Sequence, residues 1–199
     1  MKIFKENSYD IVRLYVNQLG IMIFSMLLYT AVGAIENERL SSVLSIIVSI
    51  FSICFYCSLI YYAVWEIGAK DKIRIDGGKM EPNKGKGIVM SLFANVPNFA
   101  LGLFTVIFIS IFLATGNDAF YAPFLIFNTI MRFHASMYLG LITAIVPSGL
   151  SSGNIDYVEF LIEALLFTVL PLISVAVTAL AYSLGSKEKK IFSFLSAKK

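Results

Sequence analysis

The chain has 199 residues, of which 58% are hydrophobic and 15% are charged. Soluble domains contain about 25% charged residues, so this composition excludes an ordinary soluble domain and indicates lipid as the solvent. The net charge of +3 is too small to indicate nucleic acid as a partner, and one helical bundle over 1–199 uses up a chain of this length.

Five long apolar stretches, separated by short polar segments, dominate the sequence. They cover 19–35, 41–67, 95–115, 118–147 and 157–185. A helix needs about 20 apolar residues to cross a hydrocarbon core of about 30 Å. We therefore predict an all-α fold: a polytopic helical membrane bundle, in contact with the lipid bilayer, with about four full spans plus one broken or re-entrant segment.

Residues 1–18 are predicted to form an N-terminal interfacial amphipathic helix. Apolar residues recur there at near-helical spacing between charged ones, which is typical of a helix lying along the headgroup boundary. The alternative is a first span with a polar extension. The polar part is longer than that of a cleavable signal, so we expect the first helix to be retained. Residues 36–39 are predicted to form an external turn.

The second apolar stretch carries hydroxyl groups along one helical face. They are Ser41, Ser45, Ser49, Ser52 and Tyr56. On an α-helix these side chains share a sector narrower than about a quarter of the circumference. Such a face either packs closely against another helix, with hydrogen bonds across the contact, or forms the wall of a polar cavity. Cys54 and Cys57 lie on a different face in mid-span, so we interpret them as packing residues rather than redox or metal-binding thiols.

Residues 68–94 form a hydrophilic segment, predicted to be a basic cytoplasmic loop. Its cations are Lys70, Lys72, Arg74, Lys79, Lys84 and Lys86. Within it we predict a β-hairpin over 73–81 and a second interfacial helix over 85–93. The glycine spacing ahead of Lys86 does not match a nucleotide-binding phosphate loop. We expect the segment to contact anionic lipid or a protein partner.

Charge placement predicts the topology. Lysine and arginine concentrate in the N-terminal segment, in 68–86 and in the tail 186–199, so all three are predicted to be cytoplasmic, in a protein of the cell membrane. The loops 116–121 and 148–156 contain neither residue and are predicted to be external. Five simple crossings would put the tail outside. We therefore favour 118–147 as a hairpin of two half-length helices, with one tilted span or a break at Pro171 as alternatives.

Four ionisable residues in the last two apolar stretches form the candidate site. They are Arg132, His134, Glu159 and Glu163. A charge at membrane depth is unfavourable without a partner and indicates function by default. We predict an Arg132–Glu163 ion pair, with Glu159 nearer the interface and His134 as a candidate third member. The pair either only clamps two helices or belongs to a polar site that handles a solute or a proton.

No catalytic motif accompanies these residues. His134 alone is a poor metal ligand, so we expect no metal and no cofactor. The sequence favours a non-enzymatic transporter subunit or accessory component of a membrane complex. The alternative is an intramembrane enzyme using Glu159, Glu163 and His134, which would need those side chains to converge on a water-accessible cavity.

Overall fold

The computed structural model describes residues 7–83, 85–146 and 157–189. Within these ranges the chain forms α-helices and two short 3-10 helices, Asp118–Phe120 and Ser136–Tyr138, and no β-strand. The α-helices are α1 (Ser8–Gly33), α2 (Glu38–Asp76), α3 (Lys86–Ala94), α4 (Val96–Thr115), α5 (Tyr121–His134), α6 (Leu139–Ile145), α7 (Tyr157–Val169) and α8 (Leu172–Gly185). Four helical segments are long and apolar enough to cross a membrane, or five if one bent pair counts as a span. The all-helical class is thus confirmed.

Helix α1 begins before the first apolar stretch and continues into it without interruption. A separate interfacial helix ending at residue 18 is therefore wrong for the described residues, and the first apolar stretch carries a polar helical extension instead. The reason is that this extension has a buried face: Ile11, Leu14 and Gln18 are 6%, 3% and 2% exposed. Residues at this spacing lie on one side of a helix, so the extension has a buried face of its own.

Helix α2 has 39 residues and is about 58 Å long, well beyond the thickness of a hydrocarbon core. It continues to Asp76, so the hairpin predicted over 73–81 is wrong. Gly78 has a φ of 67°, and the backbone N–H groups of Gly78 and Lys79 donate to the carbonyls of Ile75 and Arg74 at 3.0 and 2.9 Å. This pair of bonds is a Schellman motif, so the two glycines end a helix rather than turn a hairpin.

The predicted basic loop 68–94 is consequently short. Residues 68–76 belong to α2, and the helix predicted over 85–93 is present as α3, which leaves only 77–85 to connect the two helices. Lys84 lies outside the described residues. The charged residues before Gly77 form part of α2. Lys72 donates to Asp76 one turn later at 2.7 Å, and ion pairs at this spacing support a helix.

The stretch 118–147 is interrupted at Ala135. The segments Asp118–His134 and Ser136–Ile145 are inclined by 79° to each other. The stretch 157–185 also contains a break, because Pro171 separates α7 from α8 and lacks the backbone N–H that a continuous helix needs. The break at Ala135 bends the chain sharply, whereas Tyr157–Gly185 still counts as one candidate span across Pro171. Residues 147–156, which include the predicted external loop 148–156, lie outside the described residues, as do 1–6 and the tail 190–199.

The helices cluster into two compact units. The first comprises the described parts of Met1–Asn17, Tyr56–Ala94 and Leu172–Lys199, and the second comprises those of Gln18–Phe55 and Asn95–Pro171. In the first unit α3 packs on α8 through Gly87, where an added Cβ would meet Tyr182 and the Thr178 carbonyl. In the second, α4 packs on α7 where Gly102 meets Thr168. The single-domain organisation of 1–199 stays a prediction.

Candidate functional site

The second unit contains an ion pair between Arg132 at the end of α5 and Glu163 on α7. Arg132 Nε donates to Glu163 Oε1 and Nη2 donates to Oε2, both at 2.7 Å. This two-bond geometry is the strongest arrangement of a guanidinium and a carboxylate. The Glu163 side chain is 5% exposed and that of Arg132 is 30% exposed. The last turn of α5 also favours a cation, because unpaired carbonyls give a helix C-terminus partial negative charge.

A cavity of about 300 Å³ lies beside the Arg132 side chain. Its polar lining consists of Tyr29, Thr129, Arg132 and Ser136, and its apolar lining of Met26, Phe133 and Leu139. These residues come from α1, α5 and the segment that follows the break at Ala135. The break thus places residues from both of its sides on one cavity, with the arginine among them.

Hydroxyl groups join α1, α2 and α6 close to this cavity. Tyr29 bonds the Ser49 hydroxyl and donates to the Ser45 carbonyl at 3.0 Å, and the Gly140 N–H donates to Ser49 Oγ at 2.9 Å. An added Cβ on Gly140 would collide with the Ser45 carbonyl and the Tyr29 hydroxyl. Part of the predicted hydroxyl face therefore serves close helix packing.

The remaining members of that face have separate environments. Ser41 donates to the Val32 carbonyl at 3.3 Å, and Ser52 is fully buried. Tyr56 is 3% exposed and belongs to the first unit, whereas the four serines belong to the second. The hydroxyl face as one cavity wall stays a prediction. Cys54 is exposed and Cys57 is partly exposed on the protein surface.

The structure does not gather all four candidate charges. His134 is buried at the end of α5, two residues beyond Arg132 and thus about 160° around the helix from it. Glu159 lies one turn before Glu163, is partly buried, and has one carboxylate oxygen with no hydrogen-bond partner among the described residues. His134, Glu159 and Glu163 are not among the described residues that line the cavity beside Arg132. No cluster of three or more metal-ligating side chains occurs within the described ranges.

A second buried ion pair, in the first unit, was not predicted from the sequence. Lys86 Nζ donates to Asp71 Oδ2 at 2.6 Å, and the Tyr182 hydroxyl donates to the same oxygen at 3.0 Å. The Lys86 and Asp71 side chains are 6% and 1% exposed, so Lys86, predicted as a cation of the basic loop, is instead a buried residue of α3. A signal was present in the sequence. Asp71 follows the apolar residues Ile60, Val64 and Ile67 at helical spacing. These three residues are buried, and the shared register indicates that Asp71 also faces protein.

Most other cations of the segment 68–94 also face carboxylates. Lys70 pairs with Glu66 and Lys72 with Asp76, each at 2.7 Å, and Arg74 approaches Asp71 at 3.8 Å. Lys79 is exposed in the short connection after α2. The segment is therefore a helix-borne network of ion pairs and not a continuous flexible basic loop.

Comparison of this chain with protein-family models, with curated proteins and with solved structures finds no match.

Proposed function

We propose that this chain is a non-enzymatic, multi-spanning protein of the cell membrane that handles a polar solute at the cavity beside Arg132. It would act as a transporter subunit or an accessory component of a membrane complex. The observation that carries the proposal is the coincidence of a broken apolar segment, a cavity of about 300 Å³ and a paired arginine that is still 30% exposed. Discontinuous helices at membrane depth characteristically form the solute sites of transporters.

The proposed topology places both termini in the cytoplasm. α1, α2, α4 and the segment Tyr157–Gly185 are the four full-length candidate spans. With the bent pair around Ala135 entering and leaving from the outside, the chain makes an even number of crossings. The basic N-terminal segment, the 68–86 region and the tail then share the cytoplasmic face, as the positive-inside rule requires.

The enzyme alternative has less support. It requires His134, Glu159 and Glu163 to meet at a place that water and substrate can reach. The cavity that borders Arg132 has none of the three in its described lining, and both oxygens of Glu163 bond the guanidinium. A carboxylate held in this way is poorly placed to act as a general base.

The accessory-protein alternative relies on a partner that binds the 68–94 segment. The described cations there are largely committed to carboxylates of the same unit, which lowers the free charge that a partner would meet. Lys79, in the short connection after α2, is exposed, as are Lys70 and Arg74. We therefore place the transport-type site first.

Cysteine labelling tests the proposal. In a variant without Cys54 and Cys57, Thr129→Cys and Leu139→Cys should react with a water-soluble thiol reagent in reconstituted vesicles, because both positions line the cavity. Ile130→Cys is the matched control: it neighbours Thr129, is 45% exposed and faces away from the cavity, so it should be protected by lipid. Equal protection of all three positions would overturn the solute-site proposal.

A further inference from the structure

The first unit contains a cavity of about 320 Å³ that the solute-site proposal does not use. Its charged lining consists of Arg13, Lys70, Arg74 and Lys86 against Asp10 and Asp71. Four cations and two carboxylates line this concave space, and Glu66, which pairs with Lys70 and approaches Arg13, reduces the excess to one positive charge. A cavity of this size accommodates a small anionic group.

The guanidinium groups of Arg13 and Arg74 can donate hydrogen bonds to a ligand. Arg13 Nη1 lies 3.9 Å from Glu66 Oε2, and Arg74 Nη1 lies 3.8 Å from Asp71 Oδ1, both longer than a hydrogen bond. Each pair is thus an electrostatic contact that leaves the guanidinium fork uncommitted. Lys70 differs, because it already donates to Glu66 at 2.7 Å.

The buried pair positions this charge. Lys86 and Asp71 line the cavity while being almost fully buried, which fixes α3 against α2 at its edge. Arg13 comes from α1 and Arg74 from α2, so two forks from different helices border the same space. Paired guanidinium forks favour phosphate over a simple halide, since their planar donors match two phosphate oxygens.

The cavity also lies at the polar ends of two helices, α1 and α2. Arg13 precedes the first apolar stretch at 19–35, and Arg74 follows the second at 41–67. In a membrane-spanning chain these ends reach headgroup depth, and basic pockets between helices on the cytoplasmic side suit anionic headgroups. This placement rests on the proposed topology, whereas the charge and shape of the cavity do not.

We propose that this cavity binds a phosphate group, carried either by an anionic lipid headgroup or by a soluble phosphate compound. Arg13 and Arg74 are the contacting residues, and Lys86 with Asp71 are positioning residues. A halide has no pair of oxygens to match a guanidinium fork and should bind more weakly.

Binding to the full-length protein in an uncharged detergent tests this proposal. One arm adds phosphatidylglycerol and compares it with phosphatidylcholine, whose phosphate is neutralised by choline. The other arm titrates inorganic phosphate against chloride at equal ionic strength. The readout in both arms is the apparent Kd from the shift in thermal unfolding temperature. Preference for phosphatidylglycerol alone identifies a lipid site, and binding of inorganic phosphate identifies a soluble ligand.

The double variant Arg13→Gln/Arg74→Gln should weaken the preferred probe by about tenfold or more, since it removes the charge-assisted hydrogen bonds of both guanidinium forks. Both side chains are well exposed, at 42% and 64%, so the variant should fold. The control Lys79→Gln/Lys187→Gln removes two exposed charges outside the cavity and should change the Kd less than about twofold.

Arg74→Lys gives a second readout if the double variant does not fold. It keeps the charge and removes the fork, so a loss of severalfold is expected from fork recognition. The proposal is overturned if neither probe is preferred over its control. It is also overturned if the arginine and lysine double variants lose equal affinity. Labelling at Thr129 is independent of both outcomes, so the two proposals can fail separately.

Discussion

The two buried ion pairs, Lys86–Asp71 in one unit and Arg132–Glu163 in the other, differ in the exposure of their cations. Lys86 is 6% exposed, and its carboxylate partner is also bonded by Tyr182. Arg132 is 30% exposed, and since both pairs border a cavity, the difference is the fraction of the cation that solvent can reach. Burying a charge is unfavourable unless it is paired, so a nearly sealed pair holds helices in place, whereas a partly open one keeps a polar surface available to a solute.

The largest effect should come from breaking the sealed pair. Lys86→Met removes the buried cation that bonds Asp71 and leaves only the longer ionic contact with Arg74 at 3.8 Å, so the free energy of unfolding should fall by about 3–5 kcal/mol. Reversible unfolding in mixed micelles, followed by circular dichroism, measures this change. Adding Asp71→Asn should recover most of the loss. The control Lys79→Met removes an exposed cation in the connection after α2 and should leave stability unchanged. An equal loss in both lysine variants would show that the burial of Lys86 has no energetic consequence.

Breaking the open pair should cost less. Arg132→Met removes the guanidinium beside the cavity, so water can enter the vacated space and reach Glu163. We expect a loss of about 2 kcal/mol in the same assay, the range for an unpaired charged group with partial hydration. Glu163→Gln in the same chain should restore part of it. A loss as large as that of Lys86→Met would contradict the distinction between a sealed and an open pair.

Close helix packing, in contrast, should matter equally in the two units. An added Cβ on Gly140 would meet the Ser45 carbonyl, and one on Gly185 would meet the Trp65 carbonyl, backbone atoms that cannot move easily. Gly140→Ala and Gly185→Ala should each destabilise by about 1–3 kcal/mol through overpacking. Gly20→Ala is the control, because no atom lies within 4 Å of its added Cβ. A neutral result at Gly140 would contradict the contact between α2 and α6.

The smallest predicted effect concerns the end of α2. Gly78 has a left-handed φ of 67°, so Gly78→Ala should lower the free energy of unfolding by about 1 kcal/mol. Gly33→Ala, at the end of α1 in open space and without a positive φ, should be neutral or slightly stabilising. Stabilisation by Gly78→Ala would rule out the Schellman motif and return the hairpin to consideration.

Apolar length alone made most of the fold predictable. The stretches 95–115 and 157–185 correspond to helical segments, and each contains one proline. Pro97 lies in the first turn of α4, where it does not break the helix, and Pro171 lies between α7 and α8. The hairpin over 73–81 failed because Asp-Gly-Gly suits a helix end as well as a β-turn. Tertiary packing, which local sequence does not record, decided between them.

Residues of the candidate site could be predicted where a charged residue occurs within an apolar stretch. Arg132 and Glu163 occur within apolar stretches, so their proximity followed from the need for a partner. Lys86 and Asp71 occur among other charges, where solvation is the usual expectation, and only the helical register of Asp71 with Val64 and Ile67 distinguishes it. The cavity beside Arg132 depends on the direction of the chain after Ala135, which the sequence does not encode in any local pattern.

The sidedness of Thr129 tests the central proposal most directly. In the cysteine-free chain, Thr129→Cys would be labelled in intact cells with a membrane-impermeant reagent, alongside Asn117→Cys and Lys79→Cys as references for the two faces. The proposed re-entrant segment predicts that Thr129→Cys reacts from the same face as Asn117→Cys and is protected from the face of Lys79→Cys. Reaction only from the Lys79 face, or no reaction from either face, would contradict it.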